Sequence, residues 1–287
     1  PSILLHATSQ FELRTPEKAV CLESIGFSQF VPARELIWVQ IQEMAEALKT
    51  ARIEFFIHGA LCVSYSGQCY ASQAFKGRSA NRGDCAQICR LPFDLFDEEG
   101  KSISRGKHLL SLKDNNRLEP DALITAGVRS FKIEGRAKSA YYTATVTNAY
   151  RAALDAVKSG EPIPKWAVDE VYKVSHRQYC TGFYFNKDDA NQYYENSGYI
   201  RECDFVGVVD SCENGRVNIT QRNYFTVHDD LEVLSPGKTP VKLDIPYLIN
   251  SKGEQTEIAN RATEKMYFDY PVSFHPHSII RKPLSKK

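Results

Sequence analysis

Four of the eight cysteines fall in one short window, Cys62-x6-Cys69-x15-Cys85-x3-Cys89, in a chain of 287 residues. An even scatter would not concentrate them so, and thiols at this density suggest a small set of chemistries. Disulfide pairing suits a secreted protein. A structural zinc site favours C-x2-4-C spacing, which Cys85 and Cys89 meet and Cys62 and Cys69 do not. An iron–sulfur cluster needs four thiolates and tolerates looser spacing. Unligated core cysteines are the remaining reading. Gly67, Gly77 and Gly83 would let the backbone wrap a bulky group closely. Cys21, Cys180, Cys203 and Cys212 are scattered and read as buried or indifferent thiols.

Basic side chains sit in and beside the same window: Lys76, Arg78, Arg82 and Arg90, interleaved with Tyr65, Tyr70 and Phe75. Cations with exposed rings suit the phosphates and bases of RNA. A solvated loop is the plainer reading.

The elements that must position these groups alternate. Ile3–His6 is a strand-like run that ends in polar Thr8 and Gln10. Thr15-Pro16-Glu17 opens a helix to about Ser24, with Thr as cap and Pro at the first helical position. Phe27–Ala33 is a strand closed by Arg34-Glu35. Ile41, Met44, Ala45 and Leu48 mark a helix, and Ile53–Ile57 is a strand ending at His58-Gly59. Leu91–Ser104 reads as a hairpin around Glu99-Gly100, Leu109–Leu112 as a strand-like run and Pro120–Ala126 as a helix. Val128–Ile133 is a strand followed by Glu134-Gly135-Arg136. Tyr142, Val146, Ala149, Tyr150, Ala153 and Val157 then share one helical face.

Strand–helix alternation with short connections implies parallel βαβ units, and the polar strand ends are where a (β/α)-barrel carries its chemistry. Four or five units are legible where a closed barrel needs eight, and the chain begins at Pro1 without an initiator Met. Residues 1–160 are therefore expected to form the C-terminal part of a (β/α)8 TIM-like barrel with a cysteine-rich insertion, its first units lying upstream. Residues 161–287 change texture. Val206–Val209, Arg216–Thr220, Leu231–Leu234 and Val241–Ile245 are short strands between Asn-Gly, Asp-Asp and Pro-Gly turns, the pattern of a small antiparallel β-barrel domain. The final Arg281-Lys-Pro-Leu-Ser-Lys-Lys reads as a frayed basic end.

Composition narrows the class. Apolar residues at 43% and charged residues at 25% fit a globular protein and argue against a long disordered one. A net charge of +1 does not advertise nucleic-acid binding, although a local patch can hide in a neutral total. No run is long enough to cross a membrane and no signal peptide opens the chain, so a cytoplasmic protein with reduced thiols and no membrane partner is expected.

Longer stretches of sequence are recognisable. His58-Gly-Ala-Leu-Cys62-Val-Ser-Tyr-Ser-Gly67-Gln-Cys69, with Gly77-Arg78-Ser-Ala-Asn81-Arg82-Gly83-Asp-Cys85-Ala-Gln87-Ile-Cys89-Arg90, closely resembles the signature region of peptidase family U32, the collagenase-like proteases. Phe131-Lys-Ile-Glu134-Gly-Arg136-Ala-Lys138-Ser is similar to that family's second block. Thr8-Ser-Gln10, Ala33-Arg34-Glu35-Leu36 and His176-Arg-Gln-Tyr-Cys180-Thr-Gly-Phe-Tyr also match it. The resemblance covers nearly the whole chain and is most specific over residues 53–140. Some members are reported proteases. Others act as oxygen-independent hydroxylases with a four-cysteine iron–sulfur cluster and prephenate, and the wording around Lys76-Gly-Arg-Ser-Ala-Asn-Arg-Gly looks most like the branch that hydroxylates cytidine in ribosomal RNA.

The resemblance therefore implies a 4Fe-4S cluster on Cys62, Cys69, Cys85 and Cys89, prephenate as co-substrate, and ribosomal RNA or its precursor as partner. Under it, Arg34, Arg136 and Lys138 would hold the carboxylates of prephenate, with Gln10 beside them. Glu35 and Glu134 would act as acid or base, and His58 would donate a proton or hold substrate. Lys76, Arg78, Arg82 and Arg90 would contact RNA. A structural salt-bridge network is the alternative for Arg34-Glu35 and Glu134-Arg136. A collagenase-like endopeptidase is the alternative function, but the chain has no Gly-x-Ser-x-Gly and no His-Glu-x-x-His, and four clustered thiols suit ligation better than a single nucleophile.

Overall fold

The computed structural model describes residues 3–116, 120–136 and 138–284, and the chain divides into two compact units. The first takes Pro1–Arg136 with His176–Ile200, the second Ala137–Ser175 with Arg201–Lys287. The single boundary expected at residue 160 is thus an interleaved one in the structure. The reason lies in the helix that follows Ser139. Its buried face includes Tyr141, Val146, Ala149 and Ala153, and Tyr141 stacks on Phe205 at 5.6 Å, which ties the helix to the β-rich unit.

The first unit runs β1 (Leu5–Ala7), α1 (Pro16–Ser24), β2 (Phe27–Phe30), α2 (Trp38–Ala47) and β3 (Arg52–Ala60). It continues through α3 (Ala71–Lys76), the hairpin β4 (Phe93–Phe96) and β5 (Ser102–Lys107), β6 (Asp114–Asn116), α4 (Pro120–Thr125) and β7 (Val128–Ile133), and returns for β8 (Tyr179–Cys180). The Thr15 hydroxyl accepts from the Lys18 amide at 3.4 Å and caps α1 as the sequence predicts. β1, β2, β3 and β7 pair in parallel, so the alternation does produce a parallel sheet. β6 enters antiparallel to β3, and β8 lies parallel to β6.

One expectation needs correction here. The strand is not at Leu109–Leu112 but at Asp114–Asn116, and Leu112 makes only an isolated bridge to Gln192. Asp114 is buried and accepts from the Arg177 amide at 3.1 Å and its guanidinium at 3.2 Å, so a polar residue fixes a strand that hydrophobicity does not mark. The parallel strands agree with the expected β/α alternation; among the described residues no pairing joins β1 to β8.

The second unit holds α5 (Ala140–Ser159), α6 (Lys165–Glu170), β9 (Cys203–Glu213), β10 (Arg216–Gln221), β11 (Phe225–Thr226), β12 (Leu231–Leu234) and β13 (Val241–Leu243). β14 (Leu248–Ile249), β15 (Gln255–Thr256), β16 (Ile258–Ala259), β17 (Lys265–Asp269) and β18 (Ile279–Pro283) follow. Eight of these strands form one antiparallel sheet, in the order β13-β12-β18-β9-β10-β17-β14-β15, and β11 pairs with β16 apart from it. The predicted antiparallel domain is present, while its end strands β13 and β15 do not pair among the described residues. Its core includes Val206, Val209, Ile219, Phe225, Phe268 and Ile280.

The supposed frayed end is also corrected. Arg281 is fully buried in β18 and makes a two-pronged pair with Glu170 at 2.5 and 2.7 Å. The last three residues lie outside the described ones. Among the described residues, no helix is long and apolar enough to cross a membrane.

Candidate functional site

The C-terminal ends of β3 and β7 meet closely. Gly59 has φ +102°, and a Cβ there would stand 2.3 Å from the Glu134 carbonyl oxygen, so only glycine fits this approach. The Glu134 amide in turn donates to the His58 carbonyl at 2.8 Å. That contact delivers the Glu134 side chain to Arg34, which follows β2. Arg34 Nη2 donates to Glu134 Oε2 at 3.2 Å, and Nη1 to the Ala60 carbonyl at 3.1 Å. Its guanidinium lies 3.9 Å from the Phe56 ring centroid.

The acid–base pairs are therefore sorted differently from their order in the sequence. Glu134 takes Arg34, and from Arg136 only the backbone amide, at 3.2 Å. Glu35 takes Arg14 at 2.5 Å, together with the amide and hydroxyl of Ser66, each at 3.0 Å. Both pairs keep partial solvent access, with side chains between 15% and 30% exposed.

The cysteine window follows β3 directly and is knitted by its own polar groups. Asn81 Oδ1 accepts from the Cys69 amide at 3.0 Å, and the Ser72 hydroxyl from the Ala86 amide at 3.0 Å. Arg136 packs on this loop: a Cβ at Gly83 would stand 2.8 Å from its Nη1. All eight cysteines are free thiols.

Two of the four clustered thiols, Cys62 and Cys89, are shifted by their surroundings. Burial pushes the Cys62 thiol up; the Ser64 amide and Arg34 offset this, while Cys69 and Cys85 add to it. Cys62 keeps an exposed edge even so. Burial likewise raises the Cys89 thiol, against Arg90, and Cys62, Cys85 and Cys69 raise it further. Yet among the described residues no three His, Cys, Asp or Glu side chains converge closely enough to hold one metal ion. A single zinc at about 2.3 Å from each sulfur would require that convergence. A multi-iron cluster takes one thiolate per iron and holds its ligands further apart.

The remaining candidates divide. Lys76 and Arg82 are exposed, and so are the rings of Tyr65, Tyr70 and Phe75, which keep about 65% of their surface, with the Arg14 guanidinium 4.5 Å from the Tyr65 centroid. Arg78 is also exposed but pairs with Asp84 at 2.5 Å. Arg90 points inward rather than toward a phosphate: its guanidinium donates to the Leu61 carbonyl at 2.6 Å, the Ser111 hydroxyl at 3.0 Å and the Leu112 carbonyl, and burial lowers its pKa. His58 is buried, its ring sharing a 3.2 Å hydrogen bond with the Tyr179 hydroxyl, so it backs the site from within. Gln10 is exposed, and its backbone carbonyl abuts Gly67. Lys138 belongs to the second unit, where its amine donates to the Ser175 carbonyl at 2.7 Å. Sequence reasoning missed Phe56, Tyr179 and the Glu54–Lys132 pair. The alternation Ser130, Lys132, Glu134 along one strand is the signal that points to Lys132.

Comparison with known proteins decides the family. The profile of peptidase family U32 matches residues 1–193, and that of the U32 C-terminal domain residues 201–281. The chain belongs to peptidase family U32. Among U32 relatives, the "23S rRNA 5-hydroxycytidine C2501 synthase" of Escherichia coli is 58% identical over 158 residues, which cover 55% of this chain and 24% of that protein. The "tRNA hydroxylation protein P1" of Bacillus subtilis is 29% identical over 98% of this chain and 70% of its own length. A Porphyromonas gingivalis protein named "Collagenase" is 37% identical over 54% of this chain and 45% of its own length. The match to the rRNA synthase thus spans about a quarter of that relative's length.

Proposed function

We propose that this U32 chain is part of an oxygen-independent RNA hydroxylase, one that forms 5-hydroxycytidine in ribosomal RNA with prephenate as co-substrate. Cys62, Cys69, Cys85 and Cys89 would hold a 4Fe-4S cluster. The observation that carries this reading is the loop after β3 that carries four free thiols, with the Arg136 guanidinium packed against it at Gly83. The name of the E. coli relative supports the reaction and the base.

When bound, the cluster would supply one-electron chemistry. The chain's own residues do the rest. Arg34 and Arg136 present guanidinium groups to a carboxylate, and Glu134, held by Arg34 and the Arg136 amide, is the proton acceptor at the rim. Tyr70 and Phe75 offer stacking faces to unpaired bases, with Lys76 and Arg82 as phosphate contacts, while Tyr65 already carries the Arg14 guanidinium on its ring. The parallel strands read as part of a (β/α)8 barrel, whose C-terminal strand ends carry this site, in a cytoplasmic enzyme.

Endopeptidase activity is a second reading, favoured by the relative named collagenase. Against it, the buried Ser66 hydroxyl donates to Glu35 rather than to a histidine.

Anaerobic purification of the full-length parent protein tests the proposal. Brown protein with about four irons, lost in Cys69→Ala and Cys85→Ala, is expected. Cells lacking the gene should lack one hydroxylated cytidine in ribosomal RNA by mass spectrometry. Colourless protein carrying stoichiometric zinc, or unchanged ribosomal RNA with gelatin cleavage abolished by Cys62→Ala, would overturn it.

A further inference from the structure

The candidate site lies at the C-terminal ends of β3 and β7. The N-terminal ends of the same two strands border a different concavity, a cavity of about 450 Å3 within the first unit. Ile53 pairs with Val128, so the residues beside them, Arg52 and Arg129, stand at neighbouring strand starts. The loop before β3 adds Lys49 to the walls, and α2 adds Gln42 and Glu46. Gly127 sets how closely the walls approach. It turns the chain into β7 with φ +84°, and a Cβ there would stand 2.6 Å from the Ala45 methyl of α2.

The charges around this cavity do not balance. Three cations, Lys49, Arg52 and Arg129, line it with one carboxylate, that of Glu46. Glu46 is already engaged, accepting from the Gln42 amide at 2.9 Å. Among the described residues, none of the three cations forms an ion pair, and the Arg52 and Lys49 side chains make no hydrogen bond. Arg129 Nη1 donates to the Ile124 and Val128 carbonyls at 3.2 and 3.3 Å, which leaves Nη2 and Nε to spare. A concave wall lined by one sign of charge concentrates its field on an incoming anion.

The loop that carries Lys49 is also held from behind. Glu23, which does not line the cavity, accepts from the Lys49 amide at 3.1 Å and from the Thr50 and Ala51 amides at 2.7 Å each. Lys49 and Arg52 therefore extend from a fixed backbone, which lowers the ordering cost of binding.

We propose that this cavity binds the phosphate of a small phosphate monoester, with Arg52 and Arg129 as forked contacts and Lys49 as a point charge. Guanidinium groups match phosphate oxygens two at a time. Three cations less one carboxylate leave a net charge of +2. A monoester near its second ionisation matches that charge at neutral pH, and a backbone diester, with a single negative charge, does not. Small-molecule sites span about 300–1,000 Å3, so the cavity has room for the body of the ester beside its phosphate. None of these residues belongs to the cysteine loop or to the strand-end pairs, so the site stands or falls apart from the proposed hydroxylation.

Calorimetry on the full chain tests this with uridine 5′-monophosphate as the monoester and an RNA oligonucleotide without terminal phosphates as the diester. The monophosphate should bind with a Kd below about 1 mM at physiological salt, and Arg52→Gln or Arg129→Gln should each weaken it at least about tenfold. Arg52→Lys should weaken it about threefold or more, because the charge stays and the fork is lost. Glu46→Gln should tighten it. Lys101→Gln, in the turn between β4 and β5, should leave it unchanged. Arg52→Gln is the probe that remains should Arg129→Gln, which gives up two carbonyl contacts, fail to fold. No binding of the monophosphate at millimolar concentration, or equal weakening in Lys101→Gln, would overturn the site. An oligonucleotide that binds as tightly as the monophosphate and depends on Arg52 would overturn the monoester assignment.

Discussion

The two units each contain a cluster of charge built on an arginine and glutamates, and the clusters differ in how completely they close. In the second unit Arg281 and Glu170 are 0% and 1% exposed, and their pair is two-pronged. Glu232 accepts from Arg281 at 2.7 Å and from Lys173 at 3.1 Å. Burial alone would lower the Arg281 pKa, but Glu170, Tyr141 and Glu232 reverse that and raise it. In the first unit Arg34 and Glu134 are 19% and 30% exposed and joined by one contact, with the thiol loop beside them. A closed network leaves no valence for a ligand. The cluster at the strand ends is instead reached by solvent.

Removing one member from each cluster should separate them most clearly. Arg281→Ala takes the two-pronged partner from the buried Glu170 and leaves it the Lys173 ammonium at 3.3 Å, which should cost about 3 kcal/mol in urea unfolding. Arg34→Ala should cost no more than about 1 kcal/mol, because water can replace its partner. Comparable losses in the two variants would abolish the distinction between a structural and a functional network.

Gly59→Ala probes the backbone under the open cluster. Its Cβ would meet the Glu134 carbonyl at 2.3 Å in a positive-φ conformation, so β3 and β7 must part. A loss of about 1–3 kcal/mol is expected. Iron bound as the proposed cluster should fall with it if the loop is held in place by this contact. Wild-type stability in Gly59→Ala would mean that the approach of the strands is not required.

Much of the local structure is legible in the sequence. The Thr15-Pro16 cap, the apolar face of α5 and the cysteine window all rest on local pattern, which a linear reading captures. The pairings are not legible. Arg34 lies next to Glu35 in sequence yet bonds Glu134, a hundred residues away, because the Gly59 approach sets the register. β6 is Asp-Asn-Asn, whose strand character comes from β3 and Arg177 rather than from its own residues. Arg281 reads as part of a tail because burial of a charge depends on Glu170 and Glu232, which sequence proximity does not reveal.

Arg136→Lys sharpens the comparison on the ligand side. Its guanidinium packs on Gly83 of the cysteine loop, and Glu134 receives only its backbone amide, so the side chain is not committed to that carboxylate. Lys keeps the charge and loses the two-pronged geometry. The RNA hydroxylation proposed above should fall about tenfold, roughly 1.4 kcal/mol, with melting unchanged. Full activity in single-turnover assays would remove Arg136 from the site.

The smallest effect lies at a surface carboxylate that belongs to neither cluster. Glu23, near the end of α1, accepts from the Ala51 and Thr50 amides at 2.7 Å each, from the Thr50 hydroxyl at 3.0 Å and from the Lys49 amide at 3.1 Å. The Ala51 amide contributes most, and together these donors pull its pKa down from 4.5 to about 2. A depressed carboxyl stabilises the fold fully above its unfolded pKa, and that stabilisation disappears as pH falls through the folded value. Its solvent access discounts the energy, so Glu23→Gln should cost only about 1 kcal/mol at neutral pH. The difference between wild type and variant should then shrink as pH drops from about 5 toward 2, because both side chains become neutral there. Urea midpoints measured across that range test this, and a difference that stays constant with pH would show that the Glu23 charge is not what joins α1 to the loop before β3.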